Sequence, residues 1–478
     1  MWRHGDRSPV ECFPATEELC AERWPQGFGM LTAEGMDLGL ELGKALRARY
    51  SGGLIRPNYT RTDITVRSSD FDRTLMTAQA VMQGLYPPGS GPKTKDGKNG
   101  LTPDRLQPVP EHTVQQSQDT LLLAYDATAC PAIAAADVAE QKMHLKEWES
   151  VSARWGNIRP LIQNVTGLSD DQTTIGAMYA IWDLLVCEMA HDYALIPALN
   201  NATLLREIQE IADFTLAHLF ASETQQRLAA GRLVAEFSAR FVAAVNNNTQ
   251  PGWNPQSFPK PDRSRDDVAY GPRFWGYSAH DATIVALLQA LGAYDGVHPP
   301  YASSVALELI PVKQFNAHAV RGGAPALSAS PEDLHAVRGF YNTNQTTGNG
   351  AFGPEQAITM ACSTRIKSAN LIQSGAIPAG SCIVSDFVAG YAPVSMPGDT
   401  WKTDCALPSP SPTPLPPAPS ASPSPAPAQW SGEQIGATVG SGIGGLVLGS
   451  IAAVLIVRSC RPEERRGPAT MDTATLLF

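Results

Sequence analysis

From Pro408 to Ala428 the chain is built almost wholly of Pro, Ser and Ala. Such a stretch cannot bury enough apolar surface to fold, so any core must close before it, and the stretch reads as a polyproline-II-rich stalk. At about 3.1 Å per residue, this stalk reaches some 60 Å when fully extended. Ile435 to Val457 then runs without a charge, which as a helix is long enough to cross a hydrocarbon layer of roughly 30 Å. Arg458, Arg461, Arg465 and Arg466 follow the run, and only Glu433 is charged just before it. By the positive-inside rule the tail is cytosolic and the folded part is lumenal or extracellular.

Upstream of the stalk, 478 residues less this tail leave room for one to three domains. The formal charge of −10 repels phosphate backbones, so no nucleic-acid partner is expected; an anionic small molecule can bind only where basic residues gather locally. Cys12, Cys20, Cys130, Cys187, Cys362, Cys382 and Cys405 precede the charge-free run, and Cys460, a palmitoylation candidate, follows it. In an oxidising compartment cysteines pair, and seven is odd, so at least one thiol is expected to be free or bonded between chains. Sequons at Asn164, Asn201, Asn247 and Asn344 are glycosylation candidates on the same side. Gly436, Gly440 and Gly444 have the spacing that brings two spans together, and Asp472 with Leu476-Leu477 has that of a dileucine sorting signal. No charged n-region with an apolar run opens the sequence, so no signal peptide is legible.

The pattern of the folded part alternates strands and helices early and late. Thr32 to Tyr50 reads as a capped amphipathic helix, Asp63 to Arg67 as a strand, and Ser68 to Arg73 as a loop into a helix from about Thr74 to Tyr86. Phe274 to Ala279 reads as a strand and Asp281 to Leu291 as a helix stopped by Gly292. Between Glu111 and Arg265 the apolar spacing is mostly helical, which predicts an α/β domain with a helical insertion. The expected boundaries are 1–110 and 266–406 for the α/β part, 111–265 for a helical cap, 407–434 for the stalk, 435–457 for a transmembrane helix and 458–478 for the tail.

Two short segments carry chemistry. Arg3-His4-Gly5-Asp6-Arg7-Ser8-Pro9 places an imidazole between two guanidiniums, with a glycine to let a bound group approach the backbone. Guanidiniums match phosphate oxygens and keep their charge at working pH. With Arg73, three such groups would neutralise a phosphate monoester, and their like charge would keep His4 unprotonated and nucleophilic. By itself the segment reads as well as a basic surface turn. Tyr277-Ser278-Ala279-His280-Asp281 supplies a proton donor at a strand-to-helix junction; a bound phosphate dianion would raise the Asp281 pKa and keep that proton available. Taken alone, the pair also reads as a helix cap beside a solvated His. No metal-ligand constellation is legible, and no cofactor is called for.

Together these segments resemble the histidine acid phosphatases, prostatic and lysosomal branch, whose RHGxRxP motif and distant HD pair both stand here intact. Trp24 to Gly29 with Leu31-Thr32, Arg67 to Thr74 with Leu75-Met76, Leu106 to Val114, and His298 to Ser303 are similar to the same branch, so the resemblance runs from residue 1 to about Cys405. It implies a phosphoglycerate-mutase-like mixed or parallel sheet flanked by helices, and hydrolysis of phosphate monoesters through a phosphohistidine. His4 would be the nucleophile and Asp281 the proton donor, with Arg3, Arg7, Arg73 and His280 on the phosphoryl oxygens. It implies disulfides Cys130 with Cys405 and Cys362 with Cys382. Cys187 is expected to be free, because its usual partner position is Ser304, and the extra Cys12 and Cys20 stand close enough to pair. Trp182 matches a tryptophan near the pocket, although it fits a core position equally. The Asn342 to Gly350 stretch reads as a solvated loop.

The family also has a buried parallel strand running into the RHG motif, where this sequence has only Met1 and Trp2. An N-terminal segment carrying a signal peptide and this strand is therefore expected to be missing. The resemblance implies a membrane-anchored lysosomal or cell-surface enzyme that forms a homodimer. Two other readings stand beside it. A phytase-like inositol polyphosphate phosphatase more often has an HAE-type donor than the Ala279-His280-Asp281 found here. A non-catalytic membrane-anchored ectodomain would not need all six polar residues.

Overall fold

The computed structural model describes residues 1–97, 106–127, 129–246, 272–312, 334–343, 355–398 and 400–406. The expected stalk, transmembrane helix and tail, the sequons at Asn247 and Asn344, and most of the 342–350 stretch lie outside the described residues. No helix among the described residues is long and apolar enough to cross a membrane.

The described strands are β1 (Trp2–Arg3), β2 (Ile64–Ser68), β3 (Glu111–His112), β4 (Phe274–Ala279), β5 (Ser304–Pro311), β6 (His335–Asn342), β7 (Gln356–Ile358) and β8 (Cys382–Ile383). They form one mixed sheet in the order β3-β2-β4-β1-β5-β6-β7, with β8 also on β6. The β3-β2-β4-β1 half is parallel, and everything from β5 onward is antiparallel.

A parallel sheet must be covered on both faces, and alternation along the strands shows how. Trp2, Ile64, Val66 and Phe274 share one face, under the helices Ala33–Tyr50 and Asp72–Leu85. Tyr277 and Ala279 point the other way, against Leu121, Leu122 and Leu233. On that side the helix Asp281–Leu291 packs with the helix Glu223–Val245 in the largest apolar cluster. The first pair of helices touches through glycines: a Cβ at Gly43 would meet the Val81 carbonyl at 2.1 Å.

β1 holds the central position with only two residues, Trp2 and Arg3 opposite Ser278 and Ala279 of β4, and Trp2 opposite Ser304 of β5. The Trp2 ring lies over Gly276, where an added Cβ would come within 2.7 Å of it. The Met1 nitrogen donates to the Val305 carbonyl and the Val305 N–H donates to the Met1 carbonyl, each at 2.9 Å.

The segment expected as a separate cap divides its packing. Glu111–His112 belongs to the sheet as β3, because it pairs in parallel with Val66 and Arg67. The helices Pro131–Met143 and Glu223–Val245 contribute Ile133, Ala136, Leu228 and Val234 to the core beside the sheet. The helices Leu145–Thr166, Met178–Ala190 and Ala202–His218 build a second cluster around Trp155, Ile162, Ile181, Leu185, Ile208 and Ile211, which Phe13 joins. Trp182 is in that cluster, so it is a core residue.

Disulfides join Cys12 to Cys20, Cys130 to Cys405 and Cys362 to Cys382, while Cys187 is free and buried. The Cys130–Cys405 bridge ties the end of the described chain to the start of the helix Pro131–Met143. Asn164 and Asn201 are exposed. The Asn201 Oδ1 accepts from the Thr203 and Leu204 backbone N–H groups, which caps the following helix.

Candidate active site

Three adjacent parallel strands, β2, β4 and β1, end on the same side of the sheet, the side on which open α/β sheets bind ligands. The residues leaving those ends are Ser69 from β2, His280 and Asp281 from β4, and His4 from β1. The His4 N–H donates to the Ala279 carbonyl at 3.0 Å, which continues the parallel ladder one step and sets the two motifs side by side. His4 is 1% exposed. Its Nδ1 lies 2.8 Å from the Gly5 carbonyl, an atom that can only accept, so Nδ1 carries the proton and Nε2 the lone pair. Burial, reinforced by Arg73, Arg3, Arg7 and His280, holds the His4 pKa well below 6.5. The expectation from like charge alone thus gains a larger cause, desolvation.

Gly5 serves a purpose different from the one read in the sequence. A Cβ there would lie 2.2 Å from the Gly35 carbonyl oxygen, so its missing side chain lets the motif seat against the helix Ala33–Tyr50. Its N–H donates to Thr77 Oγ1 at 3.0 Å. Thr32 caps that helix by accepting from the Gly35 N–H, and donates its own hydroxyl proton to Asp6 Oδ2.

Three buried guanidiniums surround the imidazole. Arg3 Nη2 is 2.7 Å from Asp281 Oδ2, and its guanidinium lies over the Tyr301 ring at 4.3 Å. Arg7 Nη2 donates to both oxygens of Asp183 at 2.9 Å. Arg73 belongs to the first turn of the helix Asp72–Leu85, which starts two residues before the sequence reading because the Thr74 and Leu75 N–H groups already bond the Phe71 carbonyl. It has no ion-pair partner among the described residues, lies over the Phe71 ring at 4.6 Å, and is pulled down to about 10 by burial and Arg7. The Nε atoms of all three arginines have no hydrogen-bond partner among the described residues. Three guanidiniums against two carboxylates leave a net positive, desolvated site with unmet N–H donors, which attracts an anion and repels a metal cation.

Asp281 opens its helix, with Oδ1 accepting from the Ala282 N–H at 2.7 Å. Burial pushes its carboxyl up, but Arg3, His298 and His4 outweigh burial and hold it well below the usual carboxylate range. His280 Nε2 is 3.0 Å from Ser69 Oγ, and Nδ1 faces Arg73 Nη2 at 3.5 Å. Burial and Arg73 hold the His280 pKa well below 6.5 despite Asp281.

The chain matches the model of the histidine phosphatase superfamily (branch 2) over residues 1–321. It belongs to that family. It is 35% identical over 313 residues to the lysosomal acid phosphatase of Xenopus laevis, which covers 65% of this chain and 64% of that protein. Human lysosomal acid phosphatase is likewise 35% identical over 313 residues, with 65% and 66% covered, and mouse prostatic acid phosphatase is 34% identical over 315, with 65% and 73% covered. The chain thus spans just under two thirds of the first of these relatives. Among solved structures, the phytase from Citrobacter braakii superposes with a TM-score of 0.53 at 14% identity, covering 85% of this chain and 98% of that one. Apo phytase from Hafnia alvei gives 0.53 at 15% identity, with 85% and 97% covered. These two likenesses speak to the fold.

The structure brings Arg3, His4, Arg7, His280 and Asp281 of the two family motifs, together with Arg73, into one cluster. Sequence reading missed their supports: Asp183 on Arg7, Tyr301 under Arg3, Ser69 on His280, and His298, whose Nε2 is 3.4 Å from Asp281 Oδ2. Cys187 is here too, with Sγ 3.2 Å from the Tyr301 hydroxyl and 3.7 Å from Arg7 Nη1. Burial pushes this thiol up to about 12, so it stays protonated and inert.

Proposed function

We propose that the chain is an acid phosphatase that hydrolyses phosphate monoesters through a phosphohistidine on His4. The observation that carries this reading is the buried, neutral His4, with Nδ1–H tied to the Gly5 carbonyl and Nε2 free amid three guanidiniums. Family membership and the names of the relatives support it. The monoester dianion takes the unmet donors of Arg3, Arg7 and Arg73, and His280 with them. By engaging Arg3 it draws that cation off Asp281 and adds its own negative field, so the carboxyl takes up a proton. The His4 Nε2 lone pair then forms a bond to phosphorus as the ester P–O bond breaks, and Asp281 delivers its proton to the leaving oxygen. A water oxygen next attacks phosphorus, the P–N bond breaks, and Asp281 takes the water's proton. Hydrolysis of an aryl phosphate in acid by wild type and by His4→Ala tests this: equal rates would reject it. The phytase neighbours match in fold at 14–15% identity, which does not favour an inositol polyphosphate substrate.

We infer that the folded part belongs to a lumenal or extracellular compartment and is held by a single span at 435–457. Three disulfides, the exposed Asn164 and Asn201, and the lysosomal relatives support this location. Endoglycosidase sensitivity that disappears when Asn164, Asn201, Asn247 and Asn344 are all changed to Gln, and resistance of the membrane-bound protein to carbonate extraction, are the expected results.

A further inference from the structure

A second group of titratable side chains lies on helices that carry neither His4 nor Asp281. Glu140 and His144 are one helical turn apart at the end of the helix Pro131–Met143, so they share a face. His218 is the last residue of the helix Ala202–His218. One ligating atom from each of the three lies within 4.8 Å of the others. The sequence, in which 74 positions separate His144 from His218 (218 − 144), showed no ligand pattern here.

Each side chain is prepared for a cation. Glu140 is 2% exposed, and its Oε1 has no hydrogen-bond partner among the described residues. His144 Nε2 stands 3.2 Å from that oxygen, close enough to attract but not aligned to donate to it. His218 Nδ1 donates to the Phe214 carbonyl at 2.9 Å, which leaves Nε2 with its lone pair. This is the arrangement by which proteins fix the tautomer of a metal-binding histidine. The His218 ring lies against Phe214 with centroids 4.0 Å apart and meets Trp148 edge-on at 5.6 Å, so its direction is set by packing. A buried carboxylate oxygen without a hydrogen bond is costly, and the His144 nitrogen beside it is not aligned to relieve it. A cation satisfies all three groups together.

We propose that Glu140, His144 and His218 bind one divalent transition-metal ion of the zinc type, which ties the ends of the helices Pro131–Met143 and Ala202–His218. Two imidazoles and one carboxylate suit a borderline-soft ion rather than calcium or magnesium. Bonds of roughly 2.1 Å to a tetrahedral ion set ligand atoms ~3.4 Å apart. Glu140 and His144 already stand at 3.2 Å, so it is His218 that closes on the pair. His144 is 46% exposed, which leaves an entry path and a fourth position for water. The other cluster with ligand spacing, Asp6 with Glu34 and His191, is different: His191 Nε2 and Asp6 Oδ2 are already joined at 2.6 Å. It serves as the control.

The test uses the full-length protein, stripped with chelator at neutral pH and titrated with Co²⁺, then Zn²⁺. One equivalent of Co²⁺ is expected to give a visible ligand-field band, displaced by Zn²⁺, with a Tm increase that follows the same isotherm. His144→Ala, at a half-exposed position that does not threaten the fold, and His218→Ala should each weaken binding at least tenfold. His191→Ala and His4→Ala should keep it. No band in the wild-type protein, a band unchanged in both His144→Ala and His218→Ala, or its loss in His191→Ala or His4→Ala would overturn the proposal.

Discussion

Arg3 is already engaged by Asp281: its Nη2 is 2.7 Å from Asp281 Oδ2, with the two side chains 2% and 8% exposed. A phosphate that recruits Arg3 must therefore weaken a buried ion pair as well as approach a carboxylate. Coupling across a close buried charge pair starts at about 1.5 kcal/mol, and about 1.4 kcal/mol is a factor of ten in affinity. Asp281→Asn keeps the volume and removes the charge, so inorganic phosphate should bind about ten- to a hundredfold more tightly. The same change removes the proposed proton donor, and kcat on an alkyl phosphate should fall about 10²–10⁴-fold. Calorimetric Kd for phosphate in acid buffer, with the competitive inhibition constant as a second readout, measures the first effect. Tighter binding with lost turnover is a combination that general damage to the site would not give. Phosphate binding that is unchanged or weaker in Asp281→Asn would refute the competition for Arg3 and, with it, the coupling that protonates Asp281.

Three further outcomes follow from the same geometry. His4 and His280 stay unprotonated when folded, whereas the unfolded chain binds protons below about 6.5; stability should therefore fall as pH drops below that value, by about 1.4 kcal/mol per histidine per pH unit, until the lowered folded pKa is reached. Urea midpoints of wild type and His4→Asn across this range should differ in slope by one such increment, and equal slopes would contradict the burial of a neutral His4. Asp183→Asn leaves Arg7 buried without its counter-charge and should lower stability by about 3–5 kcal/mol, with phosphate restoring more to the variant than to wild type in thermal melts. Gly5→Ala pushes a methyl group into the Gly35 carbonyl and should cost about 3 kcal/mol or more together with most of the activity; a wild-type Tm and kcat would show that the contact yields.

Where the chemistry follows local pattern, sequence was enough. The helix Asp281–Leu291 ends at Gly292, whose φ of 69° is the left-handed conformation a helix stop of this kind uses, and β4 has the bounds its alternation predicts. The RHG and HD segments were legible because parallel strand ends carry them to one edge. The supporting residues were not: Asp183 is 176 positions from Arg7, and Tyr301 and His298 come from the loop before β5. No periodicity encodes such pairings, which exist only once the helix Met178–Ala190 packs over the sheet's carboxyl end. Which core each helix of the 111–265 segment joins is not legible for a related reason, since helical spacing shows only that a segment is helical. The cluster of Glu140 and His144 with His218 likewise arises from two helix ends meeting.

The central claim is that phosphorus bonds to His4, and the structure is specific about the atom. Because Nδ1 is held by the Gly5 carbonyl, only Nε2 is available. Rapid quenching of the enzyme with an aryl phosphate, alkaline digestion conditions that preserve phosphohistidine, and fragmentation mass spectrometry of the N-terminal peptide locate the group. The account predicts phosphate on His4 Nε2, chemically competent in rate and absent from His4→Ala. Phosphate on Nδ1, on another residue, or at equal level in His4→Ala would contradict it.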